Sequence, residues 1–386
     1  MMPLRTPWVL ILLLWGAGLG AAAQYGKVSV IFDLLPMAYP DAGAAVGWIV
    51  SLVGFVGIVF GVVAGLVVAR FRYRRALLVS LWVGAAVSVV QALLPPLPWM
   101  LASRVVEGAS HLGLVVAAPT LIAQLSADKD RGLTLTLWGT FFGVAFGLLA
   151  FAGRPLALNF GLPALFLAHG AYMALFALIL SAKLRALPAE DAPPELSVRE
   201  MLRSHLTIYR SPFLSAPAIG WLFYTFSFVS ILTVLPPYIA ADSRAFVMTA
   251  MPLTSIAVSM TVGVGLLRVF SAVRVVELGF ALSALAMVWL WLVPGGPPAC
   301  LFLAASMGLM QGASFAAVPQ LNQTPSAQAQ ANGAMAQMGN IGNTLGTPVM
   351  AFALVSGGYS VLPMLAGGAF VLGLIMHLLL GKIRRR

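Results

Sequence analysis

Four ionisable side chains interrupt stretches that are otherwise apolar. Lys27 lies in GAAAQYGKVSVIFDLLP (20–36), and Arg104, Glu107 and His111 lie in SRVVEGASHLG (103–113). The last three are spaced i, i+3, i+7, so on a helix they share one face, as do Gln24 and Lys27 on another. An ammonium, a guanidinium, a carboxylate and an imidazole placed this way suit three tasks: binding an anion or electron-rich solute, carrying a proton, or pairing with one another. Lys27 and Arg104 outnumber Glu107, which favours an anion. Glu107 is the candidate proton carrier and His111 a candidate relay or packing residue. The plain alternative is an Arg104–Glu107 ion pair that joins helices.

Further along, the polar groups are uncharged. Tyr224 and Ser227 stand at i, i+3, and Gln337, Asn340 and Thr344 at i, i+3, i+7. Such faces either hydrogen-bond a solute or bond helix to helix, each bond contributing about 0.6–2 kcal/mol in a membrane. Gly139, Gly143 and Gly147 recur every four residues, and Gly339, Gly342 and Gly346 form a second small face; small residues at this spacing let helix backbones approach. Asp33 and Glu277 sit near segment ends, where interfacial water solvates them. His169 and His377 read as packing residues.

The elements holding these groups must be membrane helices. The chain of 386 residues is 61% hydrophobic and only 9% charged, with a mean hydropathy of +0.98, against about 25% charged in soluble chains. Twelve helices are expected at about 8–35, 45–69, 76–94, 99–124, 133–152, 162–182, 212–238, 245–267, 275–293, 299–321, 333–356 and 361–380. PPLP (95–98), PGGPP (294–298) and SGG (356–358) mark breaks. A rise of about 1.5 Å per residue puts Lys27 about 12 Å, Glu107 about 13 Å and Arg104 about 9 Å below the outer helix ends.

Of the 22 Lys and Arg, all but Lys27, Arg104, Arg154 and Arg244 fall in alternate gaps or at the termini beside them. The positive-inside rule makes those gaps cytoplasmic and puts both termini inside. The net charge of +11 therefore reflects orientation and implies no nucleic-acid partner. The longest polar gap, 183–211, reads as a cytoplasmic linker between six-helix bundles at 1–182 and 212–386, in which SVREMLRSHLTIYR suits a surface helix. A shift of 200 residues aligns Gly65 with Gly265, Pro98 with Pro298, Gly108 with Gly308, Pro119 with Pro319 and Gly139 with Gly339, and one of 204 aligns EGAS with QGAS. The expected architecture is a duplicated all-α membrane protein, with its binding site between the repeats near the bilayer midplane. Arg5, the apolar run from Trp8 and Ala21–Ala23 imitate a signal peptide. The duplication needs that segment, so a retained first helix is expected.

The loop GLVVARFRYRR (65–75) resembles the major facilitator superfamily signature G-x-x-x-D-R-x-G-R-R. Gly65, Arg70 and the Arg74–Arg75 pair fit; Ala69 stands where Asp is usual, and Arg72 where Gly is usual. RVVEG (104–108) is similar to the family's R-x-x-[QE]-G segment. GKV (26–28), RVVEG and GNIG (339–342) are similar to the cyanate and nitroimidazole permease branch, while WGTFFGVAFG (138–147) lacks the Gly-Pro of drug/proton antiporters. The resemblance implies the major facilitator fold, in which the first and fourth helices border the central cavity. It also implies transport of a small solute by alternating access, with Gly65, Arg70, Arg74 and Arg75 in a gating loop; the loop has the plainer explanation of orientation too. Ala69 cannot supply the gate contact attributed to the family's Asp.

The expected function is a proton-coupled secondary transporter in the bacterial inner membrane, monomeric, with a small organic anion as solute. Efflux antiport and a non-transporting sensor or assembly protein are the alternatives. The single Cys300 and four dispersed histidines, with no HExxH, GxSxG or Walker motif, point to no metal, no cofactor and no enzyme chemistry.

Overall fold

Long apolar runs broken by Pro and Gly give one helix after another. The chain, as a computed structural model, is described at residues 5–64, 68, 70–185 and 206–385. No strand occurs among the described residues. The helices are α1 (Trp8–Ser29), α2 (Pro40–Phe60), α3 (Tyr73–Ala92), α4 (Leu97–Leu125), α5 (Phe141–Phe160), α6 (Leu162–Arg185), α7 (Ser215–Val234), α8 (Ala241–Leu267), α9 (Ala272–Leu292), α10 (Pro297–Leu321), α11 (Pro325–Gly357) and α12 (Val361–Arg384). All but α11 are long and apolar enough to cross a membrane by length and composition. At 33 residues α11 exceeds the span needed but carries Gln, Asn and Thr along its length. Side chains such as Val9, Trp99, Leu285 and Phe352 are more than half exposed. Lipid is the solvent that suits them.

Helix ends follow local chemistry. α1 stops at Ser29, short of the expected 35, and gives way to a 3-10 turn at Phe32–Leu34 and a short helix, Leu35–Ala38, that holds Pro36 in its first turn. The Thr324 side chain accepts from Ala327 N–H at 3.2 Å and starts α11 earlier than expected. Gly161 and Gly358, at φ +84° and +64°, turn the chain after α5 and α11 in the left-handed region that glycine tolerates. The expected fifth helix divides into Asp128–Gly139 and α5, which runs on through Arg154. Arg154 therefore lies within a helix rather than a gap, and donates to Val30 O at 2.8 Å. Three helix pairs repeat at the expected spacing: α3 and α9, α4 and α10, and α6 and α12 start 199, 200 and 199 residues apart. Pro119 and Pro319 lie inside α4 and α10 at matching places.

The chain divides into two compact units, Met1–Ile31 with Val63–Ser197, and Phe32–Val62 with Val198–Arg386. In the first, α1 packs on α4, α5 and α6, and α3 packs on α4 and α6. Its core joins Ile11, Leu14 and Ala17 of α1 with Leu77 and Leu81 of α3, Leu114 and Leu121 of α4, and Met173 and Leu180 of α6. In the second, α11 packs along α7 and α2, and α9 along α10 and α12. The linker expected at 183–211 is described only at its ends; residues 186–205 lie outside the described residues.

Candidate functional site

Glycine and alanine prepare α1 for close neighbours. A methyl on Gly20 would sit 2.5 Å from Met173 Sδ of α6, and one on Gly26 2.6 Å from Leu149 of α5. Ala21 and Ala22 beside them are fully buried. With helices this near, side chains from α4 and α6 reach the α1 backbone: His169 Nε2 lies 3.0 Å from Gly20 O, His111 Nδ1 3.0 Å from Ala21 O, and Arg104 donates to Gln24 O at 2.6 Å. Carbonyl oxygens only accept, so each of these two imidazole nitrogens carries a proton.

Lys27, in the last turn of α1, is the hub. Its Nζ donates to Glu107 Oε1 at 2.7 Å and to Ser88 Oγ at 2.8 Å, and lies 3.2 Å from His169 Nδ1. The ring of Phe166 is 5.4 Å away, within cation–π range. The carboxylate of Glu107 also accepts from Gln91 Nε2 at 2.8 Å and from the Arg104 guanidinium. Gln24 donates to Ser110 Oγ at 2.8 Å, and Ser110 donates to Ser80 O. Tyr25 meets His111 edge-on, with ring centres 5.2 Å apart.

Lys27, Arg104 and Glu107 have no solvent exposure at all. A lone charge on a spanning helix costs about 2.5–3.5 kcal/mol on insertion scales, and a buried pair offsets that only when its remaining donors and acceptors are matched. Here every member has several partners. One negative and two positive charges leave the centre with a net positive charge.

The five first-unit residues expected at the site, Gln24, Lys27, Arg104, Glu107 and His111, thus come together in one buried network. His169 joins them, although its sequence context reads as packing. A signal for it exists in the sequence: it lies seven residues from the start of α6, close to the depth expected for Lys27 and Glu107. Ser88, Gln91 and Ser110 are ordinary polar residues on apolar helices, and only the fold shows that they point inward.

The second-unit residues behave differently. Gln337 is fully used, accepting from Tyr209 Oη at 2.6 Å and donating to Ile58 O at 2.8 Å. Burial pushes the Tyr209 phenol up to about 12, so it stays a neutral donor. Asn340 packs against Gly57 of α2 and donates to Ala336 O. Tyr224 stacks on Trp221 and Phe228. Ser227 and Thr344 are buried with no hydroxyl partner among the described residues. In the basic loop, Arg70 and Arg75 are exposed and Arg74 half-buried, while Gly65 lies outside the described residues. Arg72 has φ +65°, the conformation that explains glycine at this place in the signature.

The sequence matches the family model described as Major Facilitator Superfamily over residues 14–321. The chain belongs to the major facilitator superfamily. It is a multi-pass membrane protein of a transporter family whose members carry small solutes. Its fold is similar to that of a bacterial homologue of the human lysosomal transporter Spinster in an inward-facing, occupied conformation, at TM-score 0.76, 14% identity and 97% coverage of both chains. The E. coli fucose:proton symporter FucP is similar at TM-score 0.68 and 16% identity, over 97% of this chain and 99% of that one. The niacin transporter NiaP of Acinetobacter baylyi is 30% identical over 162 residues, which is 41% of this chain. The match spans 37% of the length of that curated relative.

Proposed function

We propose that this superfamily member is a proton-coupled secondary transporter of a small organic anion. The observation that carries the reading is the buried Lys27–Glu107–Arg104 group, with Lys27 also hydrogen-bonded to Ser88 and facing His169. A membrane chain bears the cost of sealed charges where they act on ions, and intramembrane ionisable residues mark substrate paths and proton relays. Two cations against one carboxylate favour a negatively charged solute. The name of the niacin transporter relative makes niacin, a pyridine carboxylate, the first solute to try. The fucose:proton symporter supports protons as the coupling ion.

The transporter works by alternating access, with 1–182 and 212–386 as its repeats and 183–211 as their linker. It acts as a monomer in the bacterial inner membrane with both termini cytoplasmic. Of the second-unit residues expected at the site, Ser227 and Thr344, whose hydroxyls have no partner among the described residues, are the groups left to meet solute. Purified protein in lipid nanodiscs, heated with niacin, benzoate or organic amines, tests the solute class. A ligand at 100 times its Kd stabilises the folded state by about 2.7 kcal/mol. Carboxylates should raise the melting temperature, and stabilisation by amines alone would overturn the anion assignment.

A further inference from the structure

The imidazole of His169 has one nitrogen committed and one open to exchange. Nε2 lies 3.0 Å from Gly20 O and must donate there. In the neutral ring Nδ1 is then a bare acceptor. It lies 2.7 Å from Ser88 Oγ and 3.2 Å from Lys27 Nζ, and Lys27 Nζ is itself 2.8 Å from Ser88 Oγ. Three helices, α1, α3 and α6, thus close a triangle in which an ammonium faces a proton acceptor directly and through a hydroxyl. Glu107 is differently placed: its carboxylate is held by Arg104 and Gln91 as well as by Lys27. Loss of the Lys27 charge would still leave it a guanidinium counter-ion.

We propose that the coupling proton rides on the Lys27–His169 pair and not on Glu107, a refinement that rests on the proton-coupled reading above. The Lys27 ammonium gives a proton to His169 Nδ1, directly or with Ser88 Oγ accepting one proton and passing on its own. Lysine becomes a neutral amine and histidine an imidazolium. The total charge is unchanged, and one unit of it moves from α1 to α6. Arg104 is the fixed cation that keeps Glu107 ionised throughout. The charged or titratable groups around His169 are Lys27 from α1, Glu107 with Arg104 and His111 behind it from α4, and Tyr172 on its own helix. α3 contributes only the hydroxyl of Ser88 and the amide of Gln91, and α5 carries Arg154, which is bonded to Val30 O.

Two measurements test the relay. The first is 15N NMR of histidine-labelled protein in lipid nanodiscs, with the resonances assigned by substituting the other three histidines in turn. The expected neutral His169 carries its proton on Nε2; a proton on Nδ1 would leave nothing to accept from Lys27 and would overturn the relay. The second counts protons moved per niacin in proteoliposomes loaded with a pH-sensitive dye. H169Q and K27R should each bring that ratio close to zero, because glutamine does not titrate and arginine does not release its proton. A wild-type ratio in H169Q would overturn the relay. Wild-type vesicles that move no niacin would refute the solute assignment alone, and the tautomer would then decide the relay.

Discussion

Removing Glu107 should harm the fold far more than removing Lys27, although the two form one ion pair. E107Q leaves Lys27 and Arg104 buried together without the carboxylate, so the net charge of the centre rises from one positive unit to two. Orphaning a buried charge this way costs about 3–5 kcal/mol. K27M removes a cation, fills similar volume and leaves Glu107 paired with Arg104 and bonded to Gln91, so the centre becomes neutral. Its cost is the loss of the contacts to Glu107, Ser88 and His169, a net of about 1–2 kcal/mol. The double variant K27M/E107Q keeps one orphan instead of two and should be more stable than E107Q alone. Equilibrium unfolding in mixed micelles at pH 7, followed by far-UV circular dichroism, ranks the variants. If K27M proves as destabilising as E107Q, the centre is not held by excess positive charge seeking its carboxylate, and its charge balance does not govern its stability.

Four further outcomes follow from packing, hydrogen bonding and backbone geometry. A methyl on Gly342 would lie 2.5 Å from Leu222 O and 2.7 Å from Phe226 N, both backbone atoms of α7; G342A should cost about 1–3 kcal/mol by overpacking. Gly139 has nothing within 4 Å of that position, so G139A should leave the thermal midpoint unchanged or slightly raised. Y209F removes the donor to Gln337 and should cost about 1 kcal/mol in the same unfolding assay. R72G relieves a non-glycine residue at φ +65° and should stabilise by about 1 kcal/mol, the lower end of such strain.

Much of the fold is legible because a membrane helix announces itself by length and apolarity. Even so, turn chemistry moves the ends: Pro36 comes too soon for α1 to reach 35, and the Thr324 cap starts α11 early. The fifth helix departs from expectation because Arg154 looks like a loop residue, whereas it reaches the Val30 carbonyl from within α5. At the site, Lys27, Arg104 and Glu107 are legible because charge is rare in such segments. His169 is harder to read, because a histidine lacks that rarity, and its one mark in the sequence is a depth close to that expected for Lys27 and Glu107. Gln337 shows a different limit. Its spacing with Asn340 and Thr344 leaves a solute face and helix-to-helix bonding both open; both ends of its amide are bonded to protein, and no spacing rule reveals which polar groups find partners.

The most direct measurement records proton movement when niacin is added to proteoliposomes without an imposed pH difference. Wild-type protein should move protons with the solute, and K27M should move none while remaining folded. Niacin entry without proton movement in the wild type, or undiminished proton movement in K27M, would contradict a coupling role for the buried centre.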